Sequence, residues 1–139
     1  MSEDSGSAAA DASGNGITGT YRGGIGFESS GFTHDDPGAV SLNGTGGYVH
    51  TGDVFDFPEN EAFSIELWLY PSGEDSAYRR IVSKEGSAGS GYSVWLQPDE
   101  AVSFQRRAGN RFQMVRFASL PPAQWSHVVG TYDGARLRL

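Results

Sequence analysis

The sequence predicts an antiparallel β protein, and three observations support that prediction. From Ala39 onward, short stretches rich in β-branched and aromatic residues alternate with Gly, Pro, Asn and Asp, which is the pattern of strands joined by tight turns. Residues 124–134 combine the apolar Trp125 with a β-branched strand core and an Asp133-Gly134 pair, a strong hairpin signal. No stretch repeats apolar residues at helical spacing. We therefore expect an all-β fold, an antiparallel β-sandwich.

The first quarter of the chain differs from the rest in composition. Residues 1–35 are rich in Gly, Ser, Ala and Asp and are predicted to be loop-like, apart from a short strand near 25–27. Next, Ala39–Leu42 and Tyr48–His50 flank a glycine-rich run at 43–47. We expect these two strands to form a hairpin across that run.

The segment 63–70 is the clearest strand, because apolar and polar residues alternate along it. One face carries Phe63, Ile65, Leu67 and Leu69, and the other carries Ser64, Glu66, Trp68 and Tyr70. Since successive side chains of a strand point to opposite faces, we expect the first row in the core. Further strands are predicted at 80–83, 92–96, 102–106, 112–114, 127–132 and 137–139, with hairpins across 97–100, 108–110 and Asp133-Gly134.

Length, charge and composition narrow the function classes. At 139 residues the chain is expected to form a single domain over 1–139. Its net charge of −7 argues against a nucleic-acid partner, which would need clustered Lys and Arg. No apolar run approaches the ~18 residues of a membrane span, and no cysteine is present for disulfides. The first residues lack the basic and apolar parts of a signal peptide, so an exported parent protein would carry its signal outside this chain.

Five segments carry a resemblance to a known family. They are Asp11-Ala12-Ser13-Gly14-Asn15-Gly16 with Gly19-Thr20, then 39–49, 63–71, 81–86 and 120–139. In order and spacing they resemble the laminin G-like, concanavalin A-like jelly-roll domains of bacterial and archaeal exoproteins. The resemblance implies a jelly roll that is incomplete, with missing strands expected beyond both termini. It also implies an extracellular or cell-surface location, through the remaining domains of a longer protein.

The acidic-glycine segment suggests a calcium site. Asp11, Ser13 and Asn15 stand at alternate positions, Gly16 allows a sharp turn, and the carbonyl of Ile17 supplies a fourth oxygen. Calcium takes six or more oxygen ligands, so a carboxylate from another segment would also be needed. The alternative is an ordinary Asx turn that binds nothing.

No catalytic set is predicted. The G-x-G-x-x-G run at 14–19 lacks the preceding strand and following helix that a dinucleotide site needs. Glu66 has no second carboxylate beside it, so we expect it in solvent or paired with arginine. His34, His50 and His127 show neither metal spacing nor an adjacent nucleophile. We expect His127 to pack or to form a hydrogen bond within its strand.

Four aromatic residues are candidate ligand contacts: Trp68, Trp95, Tyr48 and Tyr92. An aromatic ring combines a flat apolar face with a polar edge, which suits a sugar ring. The alternative for each residue is packing in the core or on a sheet face.

These observations favour a non-catalytic binding or adhesion module whose ligand is a glycan or another protein, engaged through loops or one sheet face. One alternative is a fragment of a glycoside hydrolase with the same fold, and another is a spacer domain without a ligand. The fold alone does not decide among them, because one fold hosts many functions.

Overall fold

The structure is a computed structural model that describes residues 6–28, 31–32, 38–58, 60–73, 76–86 and 90–139. This part of the chain contains twelve strands in antiparallel sheets and no helix, so none of its segments is an apolar helix long enough to cross a bilayer. The all-β prediction is confirmed. The chain divides into two compact units, Met1–Val54 and Phe55–Leu139, which are described separately below. The assignment of 1–139 to a single domain stays a prediction.

The first unit contains five short strands. They are β1 (Ala8–Ala9), β2 (Gly19–Arg22), β3 (Ile25–Glu28), β4 (Ala39–Leu42) and β5 (Tyr48–His50). The predicted strands near 25–27, 39–42 and 48–50 are confirmed, but β1 and β2 lie in the stretch predicted to be loop-like. Strand β2 is held by pairing with β5 and by the buried Tyr21, whose ring packs edge-on against Phe27. Such long-range pairing leaves no local sequence pattern.

The predicted hairpin between β4 and β5 is wrong. Strand β4 pairs with β3, with Leu42 opposite Ile25, and β5 pairs with β2, with Tyr48 opposite Arg22. Strands β2 and β3 therefore run as one interrupted strand against β5 and β4, and residues 43–47 form a bulge opposite Gly23. A Cβ on Gly23 would lie 2.0 Å from the Gly46 carbonyl oxygen, so this close approach requires glycine.

The second unit contains seven strands in two antiparallel sheets. They are β6 (Phe63–Leu69), β7 (Arg79–Glu85), β8 (Gly91–Leu96), β9 (Ala101–Ala108), β10 (Arg111–Ser119), β11 (Ser126–Tyr132) and β12 (Leu137–Arg138). One sheet has the order β10-β9-β8-β7 and the other has the order β12-β11-β6. The predicted hairpins β8–β9 and β9–β10 are confirmed by their registers.

The last hairpin is longer than a two-residue turn. Tyr132 pairs with Leu137, so four residues connect β11 to β12. The Asp133 carboxylate organises this connection by accepting the backbone N–H groups of Ala135 at 3.0 Å and Arg136 at 2.8 Å. These hydrogen bonds form an Asx-type turn. The predicted hairpin at Asp133 is therefore correct in position, but its connection is longer than the predicted two-residue turn.

The core lies between the two sheets of the second unit. Phe63 of β6 packs edge-on against Phe104 of β9, with ring centroids 5.9 Å apart, and Ile65, Leu67 and Leu69 pack against the same buried cluster. The predicted alternation of β6 is therefore confirmed. This two-layer packing of antiparallel sheets is that of a β-sandwich, as predicted.

Candidate functional site

Because successive side chains of a strand point to opposite faces, every second side chain of the four-stranded sheet points away from the core. The register aligns Glu85, Gly91, Arg107 and Phe112 in one row across the strands, and Ser83, Ser93, Gln105 and Met114 in the next row. We call these eight residues the outer polar face. Its two positions on β8 carry small residues, whereas its positions on β9 and β10 carry long side chains. The surface over β8 is therefore recessed relative to the surface over β9 and β10.

A cleft of about 280 Å³ opens on this face, and its lining includes Glu85, Ser93, Gln105, Arg107 and Phe112. The Arg107 guanidinium lies 5.4 Å from the centroid of the Phe112 ring, a cation–π arrangement that fixes both side chains at one wall. The cleft thus offers guanidinium and amide donors, amide and carboxylate acceptors, and a flat apolar ring.

Gly91 is required at the bottom of this cleft for a backbone reason. Its φ is +138°, and a Cβ there would lie 2.0 Å from the carbonyl oxygen of Lys84 on the neighbouring strand. The close pairing of β7 and β8 therefore excludes any side chain. This exclusion leaves the gap in the row between Glu85 and Arg107.

Trp95 borders the outer polar face. Its indole Nε1 donates a hydrogen bond of 2.8 Å to the Ser93 hydroxyl, and the Arg80 guanidinium lies 4.3 Å from its ring centroid. One face of the indole is therefore covered by a cation. Of the four aromatic residues predicted to contact ligand, Tyr92 is among the residues that line the cleft, and Trp95 lies two positions beyond Ser93 on the same face of β8.

The end of the sheet next to Trp95 is closed by Arg116. From β10 its guanidinium reaches Gln97 and Asp99 beyond the end of β8, so it must cross β9, where Ser103 is fully buried. The hydrogen bond from Arg116 lowers the pKa of the Asp99 carboxyl.

Trp68 lies on the other side of the sandwich, on the outer face of β6. It stacks on the His127 ring with centroids 4.5 Å apart, and His127 Nε2 lies 2.8 Å from the Glu66 carboxylate. The prediction that His127 packs or forms a hydrogen bond is confirmed. Glu66 is exposed, as predicted, but its partner is a histidine and not an arginine.

The four predicted aromatic residues do not form one surface. Trp68 and Trp95 lie on opposite outer faces of the sandwich, and Tyr48 belongs to the first unit. Tyr92 is only 6% exposed; its ring packs against Phe63, and its hydroxyl donates to the Phe55 carbonyl. Tyr92 is among the residues that line the cleft, but because its ring packs in the core we do not expect it to stack on a ligand.

Sequence reasoning missed three residues of the cleft, namely the polar Gln105 and Arg107 and the aromatic Phe112. A usable signal was present. The predicted hairpin across 108–110, combined with strict alternation from Trp95, places all three on the same face as that tryptophan. Because none of the three is a tryptophan or a tyrosine, they are not among the predicted aromatic contacts.

The predicted calcium residues do lie in one loop. The Asp11 carboxylate accepts the Ser13 backbone N–H at 2.8 Å, the Ser13 hydroxyl at 2.5 Å and the Ile17 N–H at 2.9 Å, and Asn15 donates to the Ser13 hydroxyl at 2.8 Å. These hydrogen bonds, the one from the Ser13 hydroxyl first, lower the pKa of Asp11 to about 2. The oxygens of Asp11 are thus engaged with donors of the loop itself.

Calcium binding stays a prediction. The four residues supply fewer than the six oxygens that the ion takes, and no group of three His, Cys, Asp or Glu side chains comes together in the described part of the chain, this loop included. His34 lies outside the described residues.

The geometry agrees with a comparison against protein families. One family model, of the laminin G-like type, matches residues 43–139, well over half of the chain. This family is described as the concanavalin A-like lectin/glucanases superfamily. Neither the comparison with curated proteins nor the comparison with solved structures finds a match. The matched region contains the whole two-sheet unit and the outer polar face. The chain therefore belongs to the concanavalin A-like lectin/glucanase superfamily, in its laminin G-like branch.

Proposed function

We propose that this chain is a non-catalytic binding module of a larger extracellular or cell-surface protein, and that it binds carbohydrate on the outer polar face. The observation that carries the proposal is the cleft of about 280 Å³ beside Arg107. Its position on a rigid sheet suits binding, because side chains on paired strands are held in place before a ligand arrives.

The side chains of the cleft suit a ligand rich in hydroxyl groups. A sugar hydroxyl both donates and accepts hydrogen bonds, and the cleft offers donors from Arg107, acceptors from Glu85, and both from Gln105. The apolar face of a sugar ring needs a flat partner, which Phe112 supplies. Pockets of this mixed kind, with a few polar groups beside an aromatic ring, are typical of small-ligand sites.

Binding is better supported than glycoside hydrolysis. Hydrolysis uses two carboxyl groups, about 5 to 9.5 Å apart across the scissile bond, whereas Glu85 is the one carboxylate in the described lining of the cleft. An activity screen on β-glucans tests this part of the proposal. We expect no turnover, and turnover by this chain alone would overturn it.

A glycan array followed by calorimetry tests the binding directly. We expect Arg107→Ala and Gln105→Ala to weaken the best array ligand about tenfold or more, because each removes hydrogen bonds to it. The matched control is Arg136→Ala, which changes an exposed arginine in the β11–β12 connection. Silence on every sugar would contradict the proposal and favour a spacer or a protein ligand.

A further inference from the structure

The four-stranded sheet carries a positive charge that the rest of the chain does not share. Its strands β7, β8, β9 and β10 contain seven Lys and Arg residues and one acidic residue, Glu85. The chain as a whole has 10 Lys and Arg against 17 Asp and Glu. A cationic surface of this kind on an acidic protein concentrates anions locally, because the field is strongest inside its clefts.

Carboxylates neutralise four of these seven cations. The pairs are Arg79–Glu100, Arg80–Glu85, Lys84–Asp56 and Arg116–Asp99. Within the described ranges no carboxylate pairs with Arg106 or Arg107, which follow one another on β9. The end of the sheet at which these two arginines lie therefore keeps a positive charge.

A second cleft, of about 210 Å³, lies at that end of the sheet and is called the end cleft below. Its lining includes Asp56, Phe57, Lys84, Arg106 and Arg107. The end cleft and the cleft on the outer polar face have five lining residues in common, namely Gly86, Ser90, Gly91, Tyr92 and Arg107. The two clefts therefore adjoin, and a ligand on the outer polar face that extends past Gly91 enters the end cleft.

Arg107 stands at the junction of the two clefts and has hydrogen-bond donors to offer. Its guanidinium lies 5.4 Å from the centroid of the Phe112 ring, but this contact uses the charge and none of the five N–H donors. The side chain is exposed and donates no hydrogen bond to another described residue. The planar N–H edge of a guanidinium matches the two oxygens of a carboxylate.

Lys84 and Arg106 add charge from the row beside this junction, since both lie opposite Tyr92. Arg106 is 4% exposed, and its hydrogen bonds go to two neutral backbone carbonyls. Its charge therefore acts on the end cleft through a medium of low dielectric constant. The Lys84 ammonium lies 3.1 Å from Asp56, but the Asp56 side chain is 70% exposed, and such a surface pair is weak.

Building on the function proposed above, we infer that the carbohydrate bound by this module is acidic, a glycan of uronic acid units. One carboxylate of the glycan lies at the junction of the two clefts, against Arg107 and Lys84. Glu85 and Gln105 bind hydroxyl groups of the same sugar on the outer polar face. The unpaired charge of β9 makes the negative ligand preferred over a neutral one of the same shape.

Calorimetry with matched oligosaccharides tests the ligand class. The probes are oligomers of galacturonate, glucuronate and mannuronate, each compared with the same oligomer after reduction of its carboxylates to neutral alcohols. We expect the best uronate oligomer to bind about tenfold tighter than its neutral counterpart at about 0.01 M salt, and to lose most of this preference at about 1 M, where charges are screened within about 3 Å.

The outcomes distinguish this inference from the proposed function. Equal affinities of a uronate oligomer and its neutral counterpart would overturn the inference alone. So would silence of all three uronates while another sugar on the glycan array binds. Silence of the whole array would overturn the proposed function as well.

Two variants of the Lys84–Asp56 pair separate a role in binding from a role in folding. Lys84→Gln removes a cation and should weaken uronate binding about fivefold, whereas Asp56→Asn removes the carboxylate that competes for Lys84 and should tighten it about threefold. Both variants break the same ion pair, so a purely structural effect would change the two affinities in the same direction. Shifts of the same sign, or no shift in either variant, would overturn the inference.

Discussion

At the scale of single residues, Gly130 lies at a close contact between the two sheets of the second unit. It is buried on β11, and a Cβ there would lie 2.9 Å from Cδ1 of Phe104 on the facing sheet. The missing side chain makes room for the phenylalanine ring, which is fully buried. Close packing of this kind tolerates added volume poorly.

Gly130→Ala should therefore lower the free energy of unfolding by about 1–3 kcal/mol, because the added methyl group forces the Phe104 ring to move. Urea unfolding followed by tryptophan fluorescence measures the change. Val129→Ala is the control, since that neighbouring side chain points away from the core and is partly exposed. An unchanged midpoint for Gly130→Ala would contradict the facing-sheet contact.

Asp133 makes stability depend on pH in the acid range. Hydrogen bonds from the backbone N–H groups of Arg136 and Ala135, and then from the Arg138 side chain, lower its pKa from 3.8 to about 2. A carboxyl whose pKa is lower in the folded state stabilises the fold above its unfolded pKa, and this contribution is lost as the pH falls through the folded pKa.

The difference in unfolding free energy between wild type and Asp133→Asn should therefore be constant above about pH 5 and should shrink as the pH falls towards 2. Urea unfolding at a series of pH values measures it. Arg136→Gln, in the same connection, keeps both the Asp133 carboxylate and the backbone N–H that it accepts from position 136, and serves as the control. A difference that is independent of pH down to 2 would show that the Asp133 carboxylate does not have these partners.

Residue partners were the hardest feature to predict from the sequence. Glu66 and His127 are 61 positions apart, and only the β6–β11 register brings them onto one face. Arg116 likewise reaches Asp99 only because the hairpin β9–β10 folds back along β8. Such contacts depend on strand pairing, which composition and local spacing do not specify.

At the scale of elements, strands with regular alternation were predictable and strands of small residues were not. The strand β6 alternates clearly, and its buried row was identified from the sequence alone. In contrast, β1 and β2 contain Ala, Gly and Thr, which carry little periodic signal. The glycine-rich run at 43–47 was read as a hairpin turn because a bulge and a turn use the same residues.

Arg106 connects β9 to the segment before β6. It is buried at 4% exposure, and its Nη2 donates to the carbonyl oxygens of Phe57 at 2.7 Å and Pro58 at 2.9 Å. Its guanidinium also lies 5.4 Å from the Phe63 ring centroid. One side chain thus holds a loop against the core of the second unit.

Arg106→Met should release this loop, because methionine fills the space but donates no hydrogen bond, and should cost about 2–3 kcal/mol of unfolding free energy. Hydrogen exchange of the amides near Phe57 should become faster, while exchange in the β9–β10 hairpin changes less. The control is Arg107→Met, one residue along the strand and on the exposed face. Equal effects of the two changes would contradict a specific role for Arg106.

At the scale of the whole molecule, the sandwich explains why the predicted aromatic residues did not converge on one site. Two sheets packed face to face have two outer surfaces, and alternation sends Trp68 to one and Trp95 to the other. The sequence contained the alternation of each strand, but not which strands share a sheet. The cleft emerged only from the order β10-β9-β8-β7, which brings Phe112, Arg107 and Glu85 into one row.

Mapping of backbone amide shifts by NMR, as the best array sugar is titrated, is the most direct measurement of where the module binds. We expect the largest changes at Gly91, Ser93, Gln105 and Arg107, with little change on the strands β6 and β11. Shifts concentrated around Trp68 and His127, with the outer polar face unaffected, would contradict the proposed site.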